Sequence, residues 1–96
     1  MQYVLLTEQE IIYFNLDENN NITETSILNI LLHEKEYTLK LLIYKNEMYL
    51  NTNKRLLKVK DNNLSLIYSN KWLKGSKIRN DRFWVMNESN IGYFSE

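Results

Sequence analysis

Short apolar segments alternate with polar turn sequences along the whole chain, at a spacing of about ten residues. Eight segments are rich in the β-branched, aromatic and leucine side chains that favour strands. They are residues 3–6, 11–16, 37–44, 48–50, 55–60, 64–68, 82–86 and 91–94. Most connections between them are too short for a crossover helix, so the spacing predicts antiparallel hairpins.

Asparagine-rich and charged sequences mark three of the connections. Residues 17–21 (Asp-Glu-Asn-Asn-Asn), 45–47 (Lys-Asn-Glu) and 61–63 (Asp-Asn-Asn) contain Asn or Asp, which tolerate the left-handed conformation and bond to the nearby backbone. We therefore expect a turn at each of these three positions.

Residues 22–34 fit two structures. Five apolar side chains between positions 27 and 32 match helical spacing, and Thr23 or Thr25 is a suitable N-cap. The β-branched residues of the same stretch favour instead the return strand of a hairpin. We expect a short helix near 24–34, because so dense an apolar cluster forms a single stripe on a helix.

The sequence therefore predicts a β-rich α+β fold, a small antiparallel sheet or barrel of six to eight short strands with one short helix. An all-β meander is the alternative. Neither internal repeats nor linkers divide the chain, so residues 1–96 are expected to form a single domain.

Composition narrows the class of protein. Cysteine is absent, which excludes disulfides, thiolate nucleophiles and cysteine-held metals. The amino terminus lacks a basic region followed by a long apolar run, so we expect no secretory signal, no membrane span and a cytoplasmic location, in the host cell if the gene is viral. Fourteen asparagines without any alanine or proline indicate an AT-rich genome, as in many bacteriophages.

The charges are segregated along the chain, although the net charge is zero. Residues 1–36 carry seven acids and one base, whereas residues 37–82 carry eleven bases and three acids. Such a dipolar chain indicates a partner selected by electrostatics. The cations of the basic half that we expect to form one patch on neighbouring strands are Lys40, Arg55, Lys58 and Lys60.

No motif of an enzyme or a metal site is present. His33 is the lone histidine, and a histidine beside an apolar stripe more often packs or ends a helix than catalyses. The acid pairs Glu8 with Glu10 and Glu34 with Glu36 are interpreted as solvated carboxylates, because a catalytic pair needs burial to split its pKa values. We therefore expect a non-enzymatic protein without a cofactor or a metal.

The densest basic stretch, residues 69–84, interleaves cations with aromatic residues, a mixture by which proteins bind single-stranded nucleic acid. Its candidate binding residues are Lys71, Trp72, Lys74, Lys77, Arg79, Arg82 and Trp84. None of the known short nucleic-acid signatures accompanies them, and we expect at least two of Trp72, Phe83 and Trp84 to fill the core. The net charge of zero also removes the global attraction that non-specific nucleic-acid binding requires.

These features favour a small protein-binding modulator, of the kind that phages and plasmids encode to inhibit a host protein such as a component of a defence system. Tyrosine, tryptophan and arginine dominate interface hot spots, and segregated charge steers association. Two alternatives are a single-stranded nucleic-acid-binding module built on residues 69–84 and a structural or assembly subunit. The expected partner is a protein, self-association into a homo-oligomer stays open, and no membrane partner is expected.

Overall fold

The computed structural model describes residues 2–69, 73–80, 82–87 and 91–94, which form ten strands. The strands are β1 (Gln2–Leu6), β2 (Glu10–Leu16), β3 (Ile22–Asn29), β4 (Thr38–Tyr44), β5 (Glu47–Thr52), β6 (Arg55–Lys60), β7 (Asn63–Ser69), β8 (Leu73–Arg79), β9 (Arg82–Asn87) and β10 (Ile91–Phe94). They build three antiparallel sheets in chain order, β1–β2–β3, β4–β5–β6–β7 and β8–β9–β10. The predicted β-rich, antiparallel architecture is confirmed, but the described strands number ten instead of six to eight, and they do not close into a barrel.

The prediction of a short helix near residues 24–34 is wrong. Residues in this stretch form β3, which pairs with β2 so that Leu28 lies opposite Ile11 and Ile27 opposite Ile12. The apolar cluster therefore divides between the two faces of a sheet, because the stiff β-branched side chains and the pairing with β2 outweigh the helical spacing. The described residues contain no helix, and the alternative of an all-β meander fits them.

Two of the predicted turns are tight hairpins with left-handed backbone. Lys45 and Asn46 have φ of 50° and 64° between β4 and β5, and Asp61 and Asn62 have φ of 52° and 60° between β6 and β7. Positive φ at both central residues defines the two-residue type I′ turn, whose twist matches that of the flanking strands. The turns predicted at 45–47 and 61–63 are confirmed.

The predicted turn after β2 is confirmed as well, and one carboxylate organises it. Asp17 Oδ1 accepts hydrogen bonds from the backbone N–H groups of Asn21 at 2.9 Å and Asn19 at 2.8 Å. Asn20, between these donors, has φ of 63°. The backbone bond from Asn21 and then that from Asn19 outweigh desolvation and lower the pKa of Asp17 below its ordinary value.

The β4–β7 sheet has a buried cluster on each face. One face contributes Leu50, Leu57 and Val59, which pack against Ile11 of β2 and Ile30 just beyond β3. The β1–β3 sheet therefore covers this face, and its own inner face supplies the other half of the core.

The opposite face of the β4–β7 sheet carries Tyr44, Tyr49 and Leu56, all buried. The two tyrosine rings meet at a centroid distance of 6.4 Å with an interplanar angle of 57°. Strand β8 lies against β4 and β5.

Among the segments that the structure describes, none is a helix long and apolar enough to cross a bilayer.

Candidate functional site

The β1–β3 sheet carries apolar side chains on both of its faces. Alternate residues of each strand point to opposite faces, so the register separates the core-facing set from the solvent-facing set. The solvent-facing apolar set, termed the outer face, consists of Tyr3, Leu5, Ile12, Phe14, Leu16, Ile22 and Ile27. An antiparallel sheet with one solvated face ordinarily presents polar residues there, so this face differs from a surface that meets only water.

Several side chains of the outer face are strongly exposed. The exposed fractions are 40% for Tyr3, 52% for Leu5, 65% for Ile22 and 53% for Ile27. Leu5, Ile12 and Ile27 form one row across the three strands, and the ring of Tyr3 stacks on that of Phe14 with centroids 5.5 Å apart. Contiguous exposed apolar surface of this kind marks an interaction site.

Carboxylates border the outer face. Residues 2–29 contain five acids and neither lysine nor arginine. Glu10 belongs to the outer-facing set at one end of β2, opposite Asn29, and Glu18 lies in the turn beyond the other end. The surface is therefore apolar at its centre and acidic at its rim.

A hairpin made by β8 and β9 collects four of the predicted binding residues on one face. Lys77 lies opposite Trp84, and Arg79 lies opposite Arg82. The three cations are exposed, whereas Trp84 is half-buried and its indole Nε1–H donates to the backbone carbonyl of Arg79 at 3.2 Å. These four residues are termed the basic face.

The remaining predicted binding residues are not part of this described cluster. Lys71 and Trp72 lie outside the described residues. Lys74 is in β8, where the register is irregular between Leu73 and Gly75. The interpretation that at least two of the aromatic residues of this segment fill the core stays a prediction, since the description is limited to a half-buried Trp84.

The prediction of a single basic patch is wrong. That patch was expected to contain Lys40, Arg55, Lys58 and Lys60. Arg55 is paired with Glu36, and Lys58 is paired with Glu47. The alternation of β6 also directs Arg55 to the face opposite Lys58 and Lys60. Ion pairing within the chain therefore neutralises part of this basic region.

Glu36 is buried, contrary to its interpretation as one of a pair of solvated acids. Its two carboxylate oxygens accept hydrogen bonds from Arg55 Nε and Nη2, each at 2.8 Å. The Thr52 hydroxyl donates to Glu36 Oε2 at 2.5 Å, and the backbone N–H of His33 donates to Oε1 at 2.8 Å. His33 itself is exposed and lies outside any helix, so its interpretation as a packing or helix-end residue is also wrong.

These bonds control the ionisation of Glu36 and the position of its loop. Burial alone would raise the pKa of Glu36, but the bonds from Arg55, His33 and Thr52 outweigh it and lower that pKa to about 2. Arg55 Nη2 also donates to the backbone carbonyl of Leu31 at 2.9 Å. The cluster therefore fixes the connection between β3 and β4 onto the β4–β7 sheet, and we assign it a structural role.

A cavity of about 320 Å³ opens where β2 meets the ends of β5 and β6, lined in part by Tyr13, Met48, Val59 and Lys60. The hydroxyl of Tyr13 donates to Met48 Sδ at 4.0 Å, and burial raises the pKa of Tyr13. The described residues contain no group of three or more His, Cys, Asp or Glu placed to hold a metal ion.

Comparison of the chain with protein-family models, with curated proteins and with solved structures finds no match. The functional assignment therefore depends on the two surfaces themselves.

Proposed function

We propose that this chain is a non-enzymatic protein-binding domain and that the outer face of the β1–β3 sheet is its docking surface. The observation that carries the proposal is the row of Leu5, Ile12 and Ile27, whose outer members are more than half exposed. Full burial of one such side chain is worth about 1.5–3 kcal/mol, so a partner that covers the row gains a hot spot.

The acidic rim gives this docking surface its selectivity. Rim charges steer a partner of opposite sign and repel one of like sign, while the apolar centre supplies most of the affinity. A modulator that inhibits a target protein, as phage and plasmid inhibitors do, suits a small surface of this kind.

Affinity capture with paired variants tests the proposal. The chain is used as bait in a nuclease-treated lysate of its native host, beside a Leu5→Glu, Ile27→Glu variant of the outer face. The control is a Leu31→Glu, Leu66→Glu variant, which introduces the same charge at side chains 83% and 58% exposed elsewhere. We expect the wild type and the control to retain the same protein and the outer-face variant to lose it.

Two results would overturn this assignment. Equal retention by all three baits would place the docking surface elsewhere. Retention by the wild type in an untreated lysate that is lost in the nuclease-treated one would show that nucleic acid, instead of protein, mediates the capture. Melting temperatures of the three baits identify any variant that fails to fold.

Single-stranded nucleic acid is a second candidate ligand, favoured by the placement of Lys77, Arg79, Arg82 and Trp84 on one hairpin face. Cations on phosphates and an aromatic ring under a base form the usual binding combination. The protein-binding proposal predicts no saturable fluorescence change on titration with random oligonucleotides at physiological salt. Micromolar, salt-sensitive binding that is lost in a Lys74→Glu, Lys77→Glu variant would establish the nucleic-acid function instead.

A further inference from the structure

We infer that the free edge of β1 takes up an extended segment of the partner protein as a fourth strand of the first sheet, and that this segment carries apolar residues between basic ends. This inference rests on the proposed function, because it states how a partner reaches the outer face and which chemistry it needs. Among the described strands, β1 pairs with β2 alone. An unpaired row of backbone N–H and C=O groups is a template for a strand of another protein.

Among the edge strands that the structure describes for the first two sheets, β1 alone lacks the usual protection against strand addition. Natural sheets protect their edges with charged side chains and bulges. Strand β3 has Glu24, with φ of 49°, within a register shift, and β4 has Lys40 beside another. Strand β7 is interrupted by an extra residue, Ile67. By contrast, the five residues of β1 are uncharged and pair with β2 in an unbroken register.

One backbone hydrogen bond identifies the groups of β1 that are directed to the free edge. The N–H of Thr7 donates to the carbonyl of Glu10 at 2.9 Å, so these two residues form a hydrogen-bonded pair of the hairpin. Hydrogen-bonded and non-hydrogen-bonded pairs alternate along an antiparallel ladder. Leu5 therefore bonds to β2, whereas Val4 and Leu6 direct their N–H and C=O groups away from it.

Apolar side chains border this edge on both faces of the sheet. Tyr3 and Leu5 are exposed on the outer face, and Val4, which points to the opposite face, is 36% exposed. A residue of the added strand opposite Leu5 extends the row that Leu5 forms with Ile12 and Ile27. Strand addition at β1 is therefore continuous with the proposed docking surface.

Carboxylates lie beyond both ends of β1 and select the charge of the added segment. Glu8 and Glu10 follow its carboxyl end, while Asp17 and Glu18 follow the end of β2 that lies opposite Gln2. The strands of this sheet and their turns contain neither lysine nor arginine. Within the described part of the chain, the ion pairs involve other acids. Basic residues at both ends of the segment therefore meet charges of opposite sign.

Fluorescence titration with a labelled synthetic peptide tests the inference. The probe has the sequence Lys-Lys-Val-Thr-Val-Thr-Val-Lys-Lys, and the control peptide has glutamate at each lysine position. The wild type is compared with Val4→Pro, which removes an N–H of the free edge and leaves the bonds to β2 in place.

Asn29→Pro is the matched control variant on the other edge of the same sheet. The N–H of Ile30 donates to the carbonyl of Gln9 at 2.8 Å, so the alternation directs the N–H of Asn29 to the free edge of β3. Both substitutions therefore remove one outward N–H, and melting temperatures identify a variant that fails to fold.

We expect saturable binding of the lysine peptide to the wild type and to Asn29→Pro. Val4→Pro should raise the dissociation constant by about tenfold or more, because a donor is lost and the proline ring obstructs the incoming strand. The glutamate peptide should bind the wild type at least about tenfold more weakly, because its ends meet like charges.

Amide hydrogen exchange on the wild type gives a second readout that needs no variant. The lysine peptide should slow the exchange of the Val4 and Leu6 amides by about tenfold or more, because strand addition gives them acceptors. The Ile27 and Asn29 amides, which face the edge of β3, should exchange at an unchanged rate.

Several results would overturn the inference. They are the absence of saturable peptide binding, equal binding by the wild type and a folded Val4→Pro, and protection at Ile27 and Asn29 instead of Val4 and Leu6. Protection of Val4 and Leu6 that rises with the concentration of the chain alone would make a second copy the occupant of the edge.

The capture experiment separates this inference from the proposed function. Retention of the captured protein by a Val4→Pro bait but not by the Leu5→Glu, Ile27→Glu bait would overturn strand addition and leave the outer face as the docking surface. Equal retention by all baits would overturn the proposed function itself, whatever the peptide does.

Discussion

Glu36 is a buried acid that stays ionised, because its hydrogen bonds outweigh the cost of burying its charge. Its carboxylate is enclosed, and four hydrogen bonds from Arg55, Thr52 and His33 keep it ionised. The sequence places it two positions from exposed Glu34, and nothing local distinguishes the two acids. Only the folding of the β3–β4 connection onto β5 and β6 separates their environments, so sequence alone did not reveal the difference.

Replacing Glu36 by glutamine should destabilise the fold. The variant leaves the half-buried Arg55 guanidinium beside a neutral partner, and breaking an ion pair in a buried environment costs up to about 3–5 kcal/mol. Urea denaturation of the wild type and the variant measures the change. Glu34→Gln is the matched control and should change the free energy of unfolding by less than about 0.5 kcal/mol. Equal effects of both substitutions would contradict the structural role of Glu36.

The low pKa of Glu36 also predicts a pH dependence of stability. A carboxyl group whose pKa falls from 4.5 unfolded to about 2 folded stabilises the protein above pH 4.5. That contribution is lost as the pH falls from 4.5 toward 2, because over this window the unfolded state takes up a proton that the folded state does not. The difference in unfolding free energy between wild type and Glu36→Gln should shrink over this window, and a difference independent of pH would refute the assignment.

At the scale of the element, the turns were the most predictable features. Asn and Asp at positions 46, 61 and 62 are among the few residues that accept positive φ, and local chemistry alone specifies the hairpins that they close. The strands β3 and β8 were not predicted as strands, for different reasons. The apolar residues of β3 are dense enough to match helical spacing. Four of the seven residues of β8 are polar or charged, so the sequence of β8 shows no clear alternation of apolar and polar positions.

The turn between β6 and β7 gives a direct test of this local control. Asn62 has φ of 60°, and an alanine or valine there bears the steric cost of the left-handed region, about 1–2 kcal/mol. We expect Asn62→Val to lower the free energy of unfolding by about that amount and Asn62→Gly to leave it unchanged or higher. Thermal denaturation measures both. Asn29→Ala, at an exposed strand position, is the control, and equal effects at positions 29 and 62 would contradict the turn assignment.

At the scale of the whole molecule, charge segregation in the sequence indicated an electrostatically selected partner but not where the charges lie. Folding pairs Arg55 with Glu36 and Lys58 with Glu47, which removes the expected basic patch. The acids of residues 2–29 and the exposed cations of the β8–β9 hairpin belong to different sheets. The outer face was not predicted from the sequence. Its residues resemble the apolar core positions of ordinary strands, and only the register shows that they lie on the solvent-facing side of the sheet.

Methyl NMR of the isoleucine side chains tests the central claim, that the outer face is the docking surface. Ile12, Ile22 and Ile27 report on that face, whereas Ile43 and Ile67 are exposed on other strands. On addition of the protein retained in the capture experiment, we expect the first three resonances to shift or broaden and the other two to stay unchanged. Perturbation of Ile43 or Ile67 with no change at Ile12, Ile22 and Ile27 would contradict the claim.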